Sequence, residues 1–189
     1  MLCAPGHKGL YGPMGTGFIY VREDISLTPL MEGGTGSNSE SLIHPNLMPD
    51  HLESGTANAV GIAGLLEGVR FIQEVGIEKI RKHEQELTGH LIQGLKQYKN
   101  VKIYGPEDPT KRCAVVSFNI DNTQSTDISY ILDSEFDIEV RSGLHCAALA
   151  HETLGTTAQG VVRVSFSYFN TISEVDEFIK IIGQIINIL

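Results

Sequence analysis

The chain has 189 residues, 41% of them hydrophobic, and sets 14 Lys plus Arg against 23 Asp plus Glu for a net charge of -9. That apolar content supports a packed core and excludes a disordered chain. The acidic balance excludes a generic nucleic-acid binder, which needs a basic surface, and no apolar run approaches the roughly 20 residues that span a bilayer.

Three widely spaced cysteines, Cys3, Cys113 and Cys146, give neither a disulfide framework nor a paired-cysteine metal site. The first residues, MLCAPGHKGLYG, lack the charged and apolar regions of a secretory signal, so a soluble protein of the cytoplasm is expected. Residues 5–17, PGHKGLYGPMGTG, are dense in glycine and proline. They read as a turn-rich loop, because Gly allows φ > 0 and close backbone approach while Pro fixes φ. The loop runs into a strand at 17–21, rich in β-branched and aromatic residues. A second irregular stretch, 32–58, is longer than a passive connector, and its turn signals favour a functional loop.

A helix is predicted over 58–75 from Ile62, Leu65, Leu66, Val69 and Ile72 at helical spacing. Gly61, Gly64 and Gly68 form a second stripe on it, each costing about 1 kcal/mol against Ala unless another backbone approaches closely there. Gly76 ends this helix and a new one follows over 77–98, with Ile80, Leu87, Leu91 and Leu95 inward and Glu78–Lys82 as a favourable i,i+4 pair. Strands are predicted at 101–104, 113–119, 138–141 and 161–166, with a helix at 126–135. A capping box, Thr171 with Glu174, opens the last helix, which turns Val175, Phe178, Ile179, Ile182, Ile186 and Leu189 inward. The mixture over 77–189 predicts a compact α+β domain.

Four places along the chain carry chemistry. Lys8 lies in the Gly/Pro loop, where it is either a solvated surface charge or a held amine of the kind Schiff-base chemistry uses. The string Arg141-Ser142-Gly143-Leu144-His145-Cys146 gives a cysteine with a histidine and an arginine close by, which can stabilise a thiolate. A buried, inert thiol is the competing reading. Cys113, within Ala114-Val115-Val116, reads as core and without a role. Arg163 interrupts a β-branched strand, either as an exposed edge charge or as a clamp for a carboxylate. Glu53-Ser54-Gly55-Thr56 precedes a helix, where hydroxyls and free N–H groups form either a plain cap or an anion site. The histidines show no metal-binding spacing, so no metal is expected.

Taken together, the strings GHKGLYGPMGTG, GGTGS, ESGTAN, RSGLHCA and VRVSFSYFNT resemble, in order, the class V aminotransferases, and within them the cysteine desulfurase and selenocysteine lyase branch. The likeness is spread over essentially the whole chain. It implies the α/β fold of type I pyridoxal-phosphate-dependent transferases, with residues 1–75 as the C-terminal remnant of the cofactor-binding large domain and 76–189 as a complete small α+β domain. It implies pyridoxal 5'-phosphate as cofactor, with Lys8 holding it covalently and then moving the substrate's α-proton. His7 would lie near the cofactor phosphate, and Thr56 would reach the phosphate of a neighbouring subunit, which implies a homodimer. The substrate would be cysteine or selenocysteine, and Cys146 would take sulfur from it as a persulfide for an acceptor protein. Arg163 would bind the α-carboxylate, with Arg141 in the same wall. Ala148 stands where the family often has a proline.

Members of that family are much longer than this chain, the absent part being upstream of the lysine. The resemblance therefore implies the C-terminal half of such an enzyme, inactive until the residues that stack on the ring and pair with its nitrogen are supplied. Two other readings are a non-catalytic fragment or interaction module with vestigial site residues, and a class V aminotransferase or lyase of other specificity.

Overall fold

The computed structural model describes residues 1–188, so the inward-facing role expected of Leu189 lies outside the described residues. The chain forms two compact units, Met1–Gly76 and the remainder from Ile77.

The first unit is built on a two-stranded antiparallel sheet. β1 (Leu2–Pro5), which the sequence pattern does not announce, pairs with β2 (Gly17–Tyr20) so that Pro5 faces Gly17. The Gly/Pro loop therefore lies between two hydrogen-bonded strand ends. After a long irregular segment with one 3-10 turn at Asp50–Leu52, α1 (Ala59–Val75) begins. Asn58 caps it, its side-chain oxygen accepting from the Gly61 N–H at 3.0 Å. The glycine stripe on α1 receives the Gly/Pro loop. A Cβ on Gly64 would lie 3.1 Å from Pro13, and one on Gly68 would collide with the Leu10 carbonyl.

The second unit is a four-stranded antiparallel sheet with helices packed on it. α2 (Ile77–Leu95) leads to β3 (Val101–Tyr104) and β4 (Val115–Ile120), then α3 (Ser125–Phe136), β5 (Arg141–Gly143), α4 (Ala148–Leu154), β6 (Val161–Ser165) and α5 (Ile172–Ile188). The strand order is β3-β4-β6-β5, which leaves β6 interior and β5 at an edge. Leu87, Leu91 and Leu95 of α2 meet Val116 and Phe118 of β4, Ile128 and Leu132 of α3, and Val175, Phe178 and Ile182 of α5 in one buried cluster. Phe118 and Phe178 pack edge to face, with ring centroids 6.2 Å apart. The capping box forms as expected: the Glu174 carboxylate accepts from the Thr171 N–H at 2.6 Å, and the Thr171 hydroxyl accepts from the Glu174 N–H at 3.3 Å.

Several expectations are corrected. The second helix stops at Leu95 rather than 98, because Gln97 and Tyr98 turn into i→i+3 hydrogen bonds to Gly94 and Leu95. On its surface Lys82 lies 3.9 Å from Glu86, so the ion pair formed is Lys82–Glu86 in place of Glu78–Lys82. The strand expected at 138–141 starts only at Arg141. Asp137 is left-handed (φ 55°), and the Ile138 N–H bonds back to the Leu132 carbonyl at 3.0 Å, committing that residue to closing α3. The strand expected at 113–119 begins at Val115. Cys113 lies in the turn ahead of it, with its carbonyl bonded to the Val115 N–H, so it is exposed and not core.

Candidate active site

In the first unit, local backbone geometry holds Lys8. The Gly6 N–H donates to the Thr16 carbonyl and the Gly12 N–H to the Gly6 carbonyl, both at 2.8 Å, so the loop is bonded across its own neck. The Tyr11 N–H closes a turn on the Lys8 carbonyl at 3.0 Å, with Tyr11 itself left-handed at φ 54°. The Tyr11 ring meets Phe71 of α1 edge-on, at 5.5 Å between centroids. Lys8 and His7 are exposed on this braced loop, and Lys8 forms no ion pair among the described residues.

The strings GGTGS and ESGTAN come together because the Gly55 N–H, at φ 82°, donates to the Gly34 carbonyl at 2.9 Å. Thr56 is exposed immediately after this contact. The capping role falls to Asn58, so the Thr56 hydroxyl is left for another partner. The long segment before it is fastened by a histidine that sequence reasoning missed. His51 Nδ1 and Nε2 lie 2.9 Å from the carbonyl oxygens of Pro45 and Leu27 respectively. Carbonyls only accept, so both bonds form when the imidazole carries both protons, and these carbonyls, Leu27 first, raise its pKa. A histidine isolated in an irregular segment carries no spacing signal that could have identified it.

In the second unit the sheet register makes the site. Arg163 on β6 lies directly opposite Arg141 on β5, and on its other side opposite Ser117 of β4. Since β6 is interior, the edge-charge reading of Arg163 falls. Its Nε is buried without a hydrogen-bond partner. Two guanidinium groups in one cross-strand pair repel, and a bound anion is what offsets that repulsion.

Cys146 follows β5 by three residues and is exposed. Arg141 Nη2 donates to its sulfur at 3.7 Å. Both His145 and Cys146 are left-handed, at φ 52° and 60°, and non-glycine residues held there carry strain of about 1–3 kcal/mol each. His145 Nε2 lies 3.0 Å from the Val161 carbonyl. Burial lowers the His145 pKa first, and the charges of Arg163, Arg141 and His151 add to this against the opposing Val161 bond. Neither the left-handed turn nor α4, which starts at Ala148, is visible in the sequence pattern. Ala148 in place of proline is compatible with that position, since the first residue of a helix needs no N–H partner whichever residue fills it.

The structure thus groups Arg141, Cys146 and Arg163 in the second unit, with His7, Lys8 and Thr56 belonging to the first. No helix among the described residues is long and apolar enough to cross a membrane.

Comparison with known proteins bears on these groupings. Residues 1–178 match the family model for Aminotransferase class-V. A probable cysteine desulfurase of Pyrococcus abyssi is 36% identical over 195 aligned positions, covering 100% of this chain and 47% of the relative. One from Methanothermobacter thermautotrophicus is 39% identical, covering 90% of this chain and 44% of the relative. Among solved structures, the apo cysteine desulfurase of Thermococcus onnurineus superposes with a TM-score of 0.83 at 33% identity, covering 99% of this chain and 47% of that one. The chain spans about half the length of the curated relatives it matches.

Proposed function

The chain belongs to the aminotransferase class-V family, and from that premise we propose that it carries the lysine and cysteine steps of a pyridoxal-phosphate-dependent cysteine desulfurase. The observation that carries this reading is the exposed Cys146 sulfur with an Arg141 N–H on it, beside the facing pair Arg141–Arg163. A thiol nucleophile and a carboxylate clamp are the two groups needed to draw sulfur from an amino acid.

The residues of the first unit fit the cofactor. The Lys8 amine is exposed on a rigid loop, and the Thr56 hydroxyl is exposed ahead of a helix start, where phosphate is favoured. His7 would stand beside the phosphate, and Thr56 would serve the phosphate of a second subunit in a homodimer. When bound, pyridoxal 5'-phosphate supplies an electron sink for the carbanion at the substrate's α-carbon. Lys8 would hold the cofactor and, once released, move the α-proton. Arg163, with Arg141 opposite, would grip the α-carboxylate of L-cysteine. The Cys146 thiolate would attack the substrate sulfur, forming an S–S bond as the C–S bond breaks. The electron pair of the broken bond would pass to the β-carbon, which takes up a proton to become a methyl group, and return of the α-proton by Lys8 would complete alanine. Cys146 is left as a persulfide for transfer to the thiol of an acceptor protein in the cytoplasm.

The length shared with the relatives supports one more step: contacts to the cofactor ring come from a complementary large-domain segment, and the 189 residues alone bind the cofactor weakly. With that segment supplied from a full-length relative, Lys8→Ala should lose the visible absorption band of lysine-bound cofactor. Cys146→Ser should keep the band while alanine release from L-cysteine, and the sulfide release that an added thiol reductant draws from the persulfide, both stop. An unchanged band in Lys8→Ala would overturn the assignment. Comparing L-cysteine with L-selenocysteine in the same assay fixes the preferred chalcogen.

A further inference from the structure

His145 occupies a position where glycine would adopt the backbone conformation without strain. Its φ is 52°, and that of the following Cys146 is 60°. A side chain kept there in spite of the conformation points to a task for that side chain. The imidazole makes one hydrogen bond, from Nε2 to the Val161 carbonyl at 3.0 Å. Because a carbonyl only accepts, Nε2 carries the proton, and the other ring nitrogen, Nδ1, is buried without a partner. A second proton on Nδ1 would have no acceptor; burial acts against it first, and Arg163 from β6, Arg141 from β5 and His151 from α4 add to this against the opposing Val161 bond. The ring is therefore a fixed, uncharged donor.

The position of the acceptor gives that donor its consequence. Val161 opens β6 and pairs with Gly143, the last residue of β5, two positions before Arg163. The His145 bond extends the β5–β6 ladder by one side-chain rung beyond Gly143. It ties the turn bearing Cys146 to the strand that carries Arg163, while the Ala147 N–H closes the same turn on the Leu144 carbonyl at 2.8 Å.

We propose that His145 is a positioning residue for Cys146: its Nε2–H bond to Val161 holds the left-handed turn that keeps the sulfur on Arg141. This rests on the reading of Cys146 as the sulfur-accepting thiol. The donated bond, and not aromaticity or charge, is the requirement, so glutamine, whose amide nitrogen reaches as far as Nε2, should substitute. Asparagine is one methylene too short.

The test is site-resolved alkylation of the full chain by iodoacetamide, read by peptide mass spectrometry, with exposed Cys113 as the internal reference. In His145→Ala the Cys146 rate should fall about tenfold, the effect expected when a thiol loses a neighbouring cation, while Cys113 keeps its rate. His145→Gln should recover to within about twofold of wild type and His145→Asn should not, as a hydrogen-bond clamp requires. A Cys146 rate in His145→Ala equal to wild type would overturn the proposal. So would a His145→Gln protein with intact Cys113 behaviour that is as slow as His145→Ala. Failure of the underlying reading looks different: wild-type Cys146 would react no faster than Cys113, whatever the order among the variants.

Discussion

At the scale of single residues, what separates a functional arginine from a surface one here is the neighbour across the strand. Arg163 faces Arg141, and its buried Nε lacks a partner among the described residues, an arrangement that suits the carboxylate clamp proposed above. Lysine would keep the charge at 163 but lose the planar fork that matches a carboxylate. Arg163→Lys in the reconstituted enzyme is therefore expected to raise KM for L-cysteine about tenfold or more, from a loss of roughly 1.5–3 kcal/mol, with Cys146 alkylation unchanged. An unaltered KM would remove Arg163 from substrate binding. His51 supplies a pH signature. Its pKa is raised in the folded loop by the Leu27 and Pro45 carbonyls, with Glu32 adding to this, so the clasp is at full strength below the ordinary imidazole pKa of 6.5. It is lost as pH rises through the raised folded value. Hydrogen exchange of the loop amides, corrected for intrinsic rates, should show protection falling with rising pH in wild type and flat in His51→Gln. Protection that climbs with pH would contradict the doubly protonated clasp.

Elements show what was legible and why. α1, α2 and α5 could be read from apolar periodicity, and the last helix start from its capping box, because both are local features of the chain. The glycine stripe of α1 was also legible as a close approach, though the approaching backbone, the Lys8 loop, was visible only in the fold. β1, α4 and the true start of β5 were not legible, since four- and three-residue strands owe their existence to partners distant in sequence. The exposed state of Cys113 was misread for the same reason: its apolar neighbours belong to a strand it does not enter. In the site, residue types at Lys8, Cys146 and Arg163 could be picked out, whereas the Arg141–Arg163 register and the His145 bond arise from pairing. The glycine packing makes a signed prediction. Helix propensity favours Ala over Gly by about 1 kcal/mol, and at Gly64, with its nearest contact at 3.1 Å, gain and crowding should nearly cancel. At Gly68 the Leu10 carbonyl stands in the way, and overpacking of about 1–3 kcal/mol should win. Urea unfolding of Gly68→Ala should thus show a lower midpoint than Gly64→Ala, and the reverse order would mean the loop does not rest on this helix.

At the scale of the whole molecule the two units differ in what they bury. Among the described residues, all 18 buried hydrophobic residues, from Ile80 to Ile185, lie in the second unit. In the first unit the buried residues are Gly6, Gly61 and Gly68, while Leu30 and Leu42 stand fully exposed. Apolar burial is the main stabilising term in folding, so most of that stabilisation is concentrated in the second unit. The chain spans about half the length of the relatives it matches. The most direct measurement of the central claim is peptide mass spectrometry of the reconstituted protein after exposure to pyridoxal 5'-phosphate and L-cysteine. The account predicts a gain of one sulfur atom on the Cys146 peptide, absent from the Cys3 and Cys113 peptides and absent altogether in Lys8→Ala. Sulfur spread evenly over the three cysteines, or persisting on Cys146 without Lys8, would contradict it.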